Sequence, residues 1–313
     1  MKAYRQEAFQ VKKKTLRRVG ALVCSAVIGS AALAMFAGCT TKHPEITITY
    51  TFNEKDYKVD YVLSRNDAPK TVQHFIELAN AGFYDGMVIH DYQSSALYTG
   101  GYYYSETDDD GLVEVDYFTR VRELETEKGI KFTQTVWQDE ARTTPTYTVY
   151  GEFVSNGAYT EYSRENSYSK GALVMYYTEK GGNDQVWVAR ADGGKGNNGN
   201  PYQEVAYAKN SATSLFYTFT GSSATGTVAS DYCVFGKASN YSQLSNGSDG
   251  LLDAIADYIE ELEGEESFTE TVSGYRLNRY EFFEDVRTSD KTADYSFPRE
   301  QPIIVKSVKV NKY

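Results

Sequence analysis

From residue 46 the chain alternates. Ile46, Ile48, Tyr50 and Phe52 are separated by threonines, and after the turn-prone Asn53–Asp56 the pattern resumes with Tyr57, Val59, Tyr61 and Leu63. A period of two puts every second side chain on one face of a strand, so the stretch reads as a β-hairpin with one apolar face. Two strands alone do not bury such a face in water; more sheet or a helix must cover it. A helix follows at once. Asp67 suits its cap, Pro69 its first turn and Gly82 its exit, while Val72, Phe75, Ile76 and Ala79 share one side. His74 falls on the polar side and reads as solvated.

Residues 87–245 are rich in Tyr, Thr, Val and Gly, which suits short strands and loops. A second amphipathic helix is predicted over about 249–263, with Leu252, Ile255, Ala256, Ile259 and Leu262 on one face. The closing "PIIVKSVKV" reads as a strand in which Val308 and Val310 alternate. Two stretches read as insertions: 102–147, with "SETDDDG" and a charged, helix-compatible "RVRELETEKG", and 180–209, with "GGKGNNGNP". The 28 tyrosines are assigned to cross-strand packing.

The N-terminus has a different character. Lys12, Lys13, Lys14, Arg17 and Arg18 precede the uncharged run Ala21–Phe36, the layout of an export signal. A spanning helix needs roughly 20 apolar residues, and this run is shorter. It ends in "FAGC" followed by the polar "TTKHPE", and small residues before a cysteine resemble the lipobox of bacterial lipoproteins, although Phe36 stands where that motif favours leucine. The resemblance implies cleavage before Cys39 and its lipidation. We therefore expect a signal over 1–38, a tether over 39–45 and one domain over 46–313, lipid-anchored to the outer face of a bacterial cell membrane.

Without residues 1–38 the chain carries 25 basic against 42 acidic side chains. That balance disfavours nucleic acid, whose phosphates call for clustered Lys and Arg. With Cys24 in the signal and Cys39 at the anchor, Cys233 has no internal disulfide partner. His43, His74 and His90 show no metal-ligand spacing, and neither a metal nor a cofactor is expected. "GKGNNG", 194–199, matches a dinucleotide fingerprint in letters only, because Asn200–Pro201 follows instead of a helix; it reads as a hairpin loop. Glu106, Asp108 and Asp110 resemble the start of a calcium loop, but Tyr117 occupies the place of the closing acid. No G-x-S-x-G elbow marks a serine hydrolase.

Several stretches, taken in order, resemble the cyclophilin family of peptidyl-prolyl cis-trans isomerases. They are "DAPKTVQHFIELANAGFYDGMVIH" at 67–90, "TGG" at 99–101, "YGEFVSNG" at 150–157, "GALVM" at 171–175, "NSATSLFYT" at 210–218 and "DYCVFGKA" at 231–238. The resemblance implies a closed eight-stranded antiparallel barrel capped by two helices, here with large loop insertions. It also implies rotamase chemistry, the rotation of an X-Pro bond whose barrier is about 18–20 kcal/mol. Twisting breaks the amide's conjugation, and an apolar proline pocket with an arginine beside the amide favours the twisted state without nucleophile or metal.

The groove residues implied by the resemblance depart from that pattern. The family's Phe-His-Arg turn reads Ile89-His90-Asp91, so an acid stands at the arginine position. The phenylalanine–methionine pair corresponds to Ala96 and Leu97, and the glutamine to Thr99. Tyr176 replaces a small alanine, Phe216 and Tyr217 follow the core serine, Thr227 stands for the groove tryptophan, and Tyr232 matches a common bacterial variant. We expect a proline pocket lined by Leu97, Tyr176, Phe216 and Tyr217, partly filled by Tyr176, with isomerase activity weak or lost. The expected partners are proline-containing or other exported polypeptides, and the protein is expected to be monomeric. The alternatives are a non-catalytic peptide- or protein-binding lipoprotein on the same scaffold, and a structural lipoprotein that uses its insertions as contacts.

Overall fold

The first hairpin forms as the alternation requires. Strands β1 (Glu45–Phe52) and β2 (Lys55–Leu63) pair antiparallel, and Ile46, Ile48, Tyr50, Phe52, Val59, Tyr61 and Leu63 are all buried. Asn53 and Glu54, both at positive φ, make the two-residue turn, a geometry that matches the twist of the strands. The computed structural model describes residues 41–108, 111–152, 167–176, 185–190, 194–196, 199–206, 211–222, 233–262, 266–275 and 292–313. Cys39, Thr227 and Tyr232 lie outside these residues, as does the apolar run 21–36. Within the expected tether, residues 41–44 are bonded to the domain: Thr41 N–H donates to Tyr313 O, and Leu63 N–H to Pro44 O.

Helix α1 (Pro69–Ala81) buries Val72, Phe75, Ile76 and Ala79 and ends at Gly82 in the left-handed conformation. Its cap differs from the expectation. Ala68 is the capping residue and offers no side-chain acceptor. Glu152, 81 residues beyond Thr71, accepts the Thr71 N–H at 2.9 Å and the Lys70 N–H at 3.1 Å. The carboxylate satisfies two orphan donors at the positive end of the helix and ties the "GEF" segment to it.

Short strands follow: β3 (Met87–Val88), β4 (Asp91–Gln93), β5 (Ala96–Thr99), β6 (Tyr102–Tyr104) and β7 (Leu112–Glu114). Helix α2 (Tyr117–Lys128) comes next, then β8 (Val136–Trp137), β9 (Val149–Tyr150), β10 (Ala172–Met175), β11 (Gln185–Ala189) and β12 (Tyr202–Ala206). The chain continues through β13 (Ser211–Ala212), β14 (Phe216–Phe219), β15 (Cys233–Ala238), helix α3 (Leu251–Glu261), β16 (Glu270–Tyr275), β17 (Thr292–Phe297) and β18 (Ile304–Lys312). The protein is mainly β with three α-helices among the described residues, one more than the two expected.

Eleven strands form one sheet in the order β4-β5-β14-β10-β15-β2-β1-β18-β3-β6-β7. The sheet curls. Strands β14 and β1 are four places apart, about 19 Å in a flat sheet. Yet the Tyr50 hydroxyl lies 3.4 Å, and the Tyr61 hydroxyl 3.3 Å, from Thr218 Oγ1 on β14. Helix α1 fills the concave side, where Phe75 packs on Phe235, Phe216 and Tyr84 at 5.0–5.1 Å between ring centroids.

The segment 102–147 is not a peripheral loop. Helix α2, capped by Asp116 on Thr119 N–H and closed by Gly129, sends Phe118, Val121 and Leu124 into the same core as β1, β2 and α1. His74 is correspondingly buried, against the expectation of a solvated side chain. Its Nε2 is 2.9 Å from Thr213 O and 3.2 Å from the Tyr117 hydroxyl of α2. Strands β11 and β12 of the second expected insertion pair as a hairpin, joined in the same sheet by β8. "GKGNNG" lies in the connection between them, and no helix follows it. On α3 only Leu251 and Ile255 are buried, so the predicted stripe is narrower, and Ile259 is exposed.

Candidate functional site

The groove residues divide by strand parity. On β14, Phe216 points into the concave core, Tyr217 to the outer face, and Thr218 inward again. On β5, Leu97 is in the inner core and Ala96 in the outer cluster, with Tyr98 packed against that cluster. The register pairs Phe216 with Thr99 and Tyr217 with Tyr98, which keeps the two faces separate. A pocket lined jointly by Leu97, Phe216, Tyr176 and Tyr217 therefore does not form: the first two and Tyr217 lie on opposite sides of the sheet. Thr99 is buried and donates its hydroxyl to Val88 O at 2.8 Å.

What the outer face presents is an aromatic strip. Tyr217 packs against Tyr98 at 4.6 Å between centroids, Tyr98 meets Tyr176 edge-on at 6.2 Å, and Tyr168 stacks near Phe219 at 4.3 Å. Tyr176 holds the strip to β14 through its N–H on Leu215 O. Tyr98, Tyr168 and Tyr176 are half-buried, so the strip has an exposed rim.

The turn Ile89-His90-Asp91 links β3 to β4. Ile89 is buried in the inner core, and its N–H donates to Ile303 O. His90 N–H donates to Tyr98 O at 3.1 Å. The His90 ring is buried between Tyr102 and Tyr295, at 5.1 and 5.0 Å between centroids, and its Nδ1 has no hydrogen-bond partner among the described residues. Burial pushes its pKa down to about 3, so the ring is neutral. A charge relay between His90 and Asp91 is absent.

Asp91 is half-buried and faces no cation among the described residues. One carboxylate oxygen accepts the Ser296 N–H at 3.0 Å and the Gln93 side-chain amide at 2.6 Å. Desolvation raises its pKa, and these two donors only partly offset the rise.

Ser296 belongs to a hairpin that the sequence reading did not foresee. Strands β16 and β17 pair antiparallel. Their apolar side chains Val272 and Phe297 join Val88, Tyr102, Leu112 and Leu215 in one outer cluster, with Tyr176 and Tyr295 packed against it. The hairpin thus lies on the face that carries Leu215, Tyr176 and Asp91. The signal was present in the alternation of Tyr295 and Phe297 with Asp294 and Ser296, within a stretch that resembles none of the motifs above.

Residues 47–187 match the family model of the cyclophilin type peptidyl-prolyl cis-trans isomerases. Among solved structures, a cyclophilin-type peptidyl-prolyl cis-trans isomerase of Cryptosporidium parvum is similar at 15% identity, with 87% of this chain and 99% of that chain covered and a TM-score of 0.37. The Mimivirus cyclophilin is similar at 12% identity, with 88% and 93% covered and a TM-score of 0.37. No curated protein matches the sequence.

Proposed function

We propose that this is an exported, lipid-anchored cyclophilin-type protein that binds polypeptides through its outer face and has weak or no isomerase activity. The observation that carries the reading is the state of Asp91. A carboxylate engaged by Ser296 and Gln93 stands where the isomerase chemistry wants a cation. A negative charge there opposes the charge that builds on the prolyl carbonyl as the amide twists. Loss of one well-placed electrostatic donor lowers catalysis by roughly 100- to 1,000-fold. The expected result on a proline-containing tetrapeptide is turnover at least 100-fold below that of an ordinary cyclophilin; turnover near that level overturns the reading.

The barrel belongs to the same proposal. Residues 87–93 act as one bent strand, bonded to β18 at Ile89 and to β5 at His90 and through the Thr99 hydroxyl. Counted that way, β5, β14, β10, β15, β2, β1 and β18 with this strand make a ring of eight. Closure would remove the exposed edge and fix the turn that carries Asp91.

Peptide capture without turnover is favoured by the half-buried rim of the strip, Tyr98 and Tyr168 on either side of the buried Tyr217, because a rigid aromatic rim offers contact area at little conformational cost. Anchoring rests on the lipobox resemblance around Cys39. Replacing Cys39 by serine is expected to move the protein from the membrane to the soluble fraction, and unchanged partition after fractionation sinks the anchor.

A further inference from the structure

We propose that the β16–β17 hairpin is a strap over this chain's outer face, latched by Asp91, so that a peptide must displace it to reach Tyr176 and the face around Asp91. The inference rests on the outer-face peptide binding proposed in the preceding section. It stands on three contacts made by three successive residues of β17. Ser296 pairs with Thr271 in the hairpin register but sends its N–H away from β16, to the Asp91 carboxylate. Tyr295 packs edge-on against the His90 ring, with an interplanar angle of 77°. Phe297 is fully buried in the cluster that contains Leu215.

The two strands of the strap are tied to each other and anchored at one end. Arg299 pairs with Glu270 at 3.3 Å across its base, and Ser273 donates to Asp294 at 2.7 Å along its length. Phe297 and Pro298 are buried, and Arg299 N–H closes a tight turn on Phe297 O around the proline. Asp294 is exposed, and Tyr295 and Ser296 are half-buried. Lifting about Phe297–Pro298 therefore leaves Phe297 in its cluster while withdrawing Tyr295 from the His90 ring and Val272 from the outer cluster, which uncovers Tyr176 and the face around Asp91. Asp91 then has a role that the isomerase arginine could not perform, because a guanidinium has no acceptor for a backbone N–H. The same substitution that removes the catalytic cation supplies the latch.

Hydrogen exchange read by mass spectrometry on the full chain tests the latch. Asp91→Ala removes the acceptor. Ser296→Pro removes the donor at a position whose N–H takes no part in the β16 ladder. Each is expected to speed exchange across 270–275 and 294–297 at least tenfold while leaving 45–63 unchanged. Unchanged exchange in both variants overturns the latch. For occupancy, a proline-containing tetrapeptide is titrated against the full chain and against a variant with 270–296 replaced by a Gly–Ser linker, its fold checked by protection over 45–63. Binding at least tenfold tighter to the variant supports the strap; equal affinity, or no binding by either, overturns it. Turnover near that of an ordinary cyclophilin sinks the reduced-activity reading, and that rate is measured separately from the exchange and the affinity that decide the strap.

Discussion

Acidifying the protein from pH 7 to pH 4 is expected to remove several kcal/mol of stability through His90 alone, and His90→Phe is expected to abolish most of that loss. The His90 ring is 4% exposed, lies between Tyr102 and Tyr295, and offers a proton at Nδ1 no acceptor among the described residues. Burial therefore depresses its folded-state pKa to about 3 against 6.5 for the free side chain. Between those values the unfolded chain binds a proton that the folded chain refuses. The stabilisation is complete above pH 6.5 and is lost as pH falls towards 3. At about 1.4 kcal/mol per unit, the loss by pH 4 is on the order of 3 kcal/mol. Asp91, one residue on, works in the opposite sense: its pKa is raised by burial, so protonation relieves a cost as pH falls. Phenylalanine keeps a ring between the two tyrosines and cannot be charged. Denaturant titrations at pH 7 and pH 4 decide the matter, and an equal acid loss in wild type and His90→Phe refutes it.

How far the sequence carries the structure depends on the range of the interactions. The β1–β2 hairpin, the buried stripe of α1 and its exit at Gly82 are legible because a local period and a local glycine set them. The cap of α1 is not, because its acceptor is Glu152, brought up by the fold and not by the residues preceding Pro69. His74 reads as polar-face until α2 arrives to cover it, and α2 belongs to a segment whose charge suggested a peripheral insertion. The groove reading failed in one specific way. Alignment to a family pattern places Leu97, Phe216, Tyr176 and Tyr217 near one another along the strands but does not assign them to faces, and adjacent residues on a strand point to opposite sides. Asp91 stood out in the sequence as an acid where the resemblance implies a cation, but its partner Ser296 did not, being 205 residues away on a hairpin outside the resemblance.

The glycines of "TGG" give the sharpest stability test of the outer face. Gly100→Ala is expected to destabilise the protein by roughly 3–5 kcal/mol, from positive-φ strain added to a forced separation of packed backbone. Gly100 has φ of +97°, and a Cβ there would lie 2.3 Å from Ser214 O and 3.2 Å from Leu215 Cα. Those atoms are backbone and cannot swing aside, and the Ser214 hydroxyl holds them by donating to Gly100 O at 2.6 Å. The approach continues the pairing of β5 with β14, so opening it would displace Leu215 from the outer cluster and the nearby Tyr217 from the aromatic strip. Gly129 separates the two contributions. It also has positive φ, at +64°, but nothing lies within 4 Å of an added Cβ, so Gly129→Ala should lose only about 1 kcal/mol. Urea denaturation of both variants measures the difference. Equal losses at the two sites would mean that the backbone around Ser214 yields freely, and that the close seam between the "TGG" turn and β14 does not hold the outer face in place.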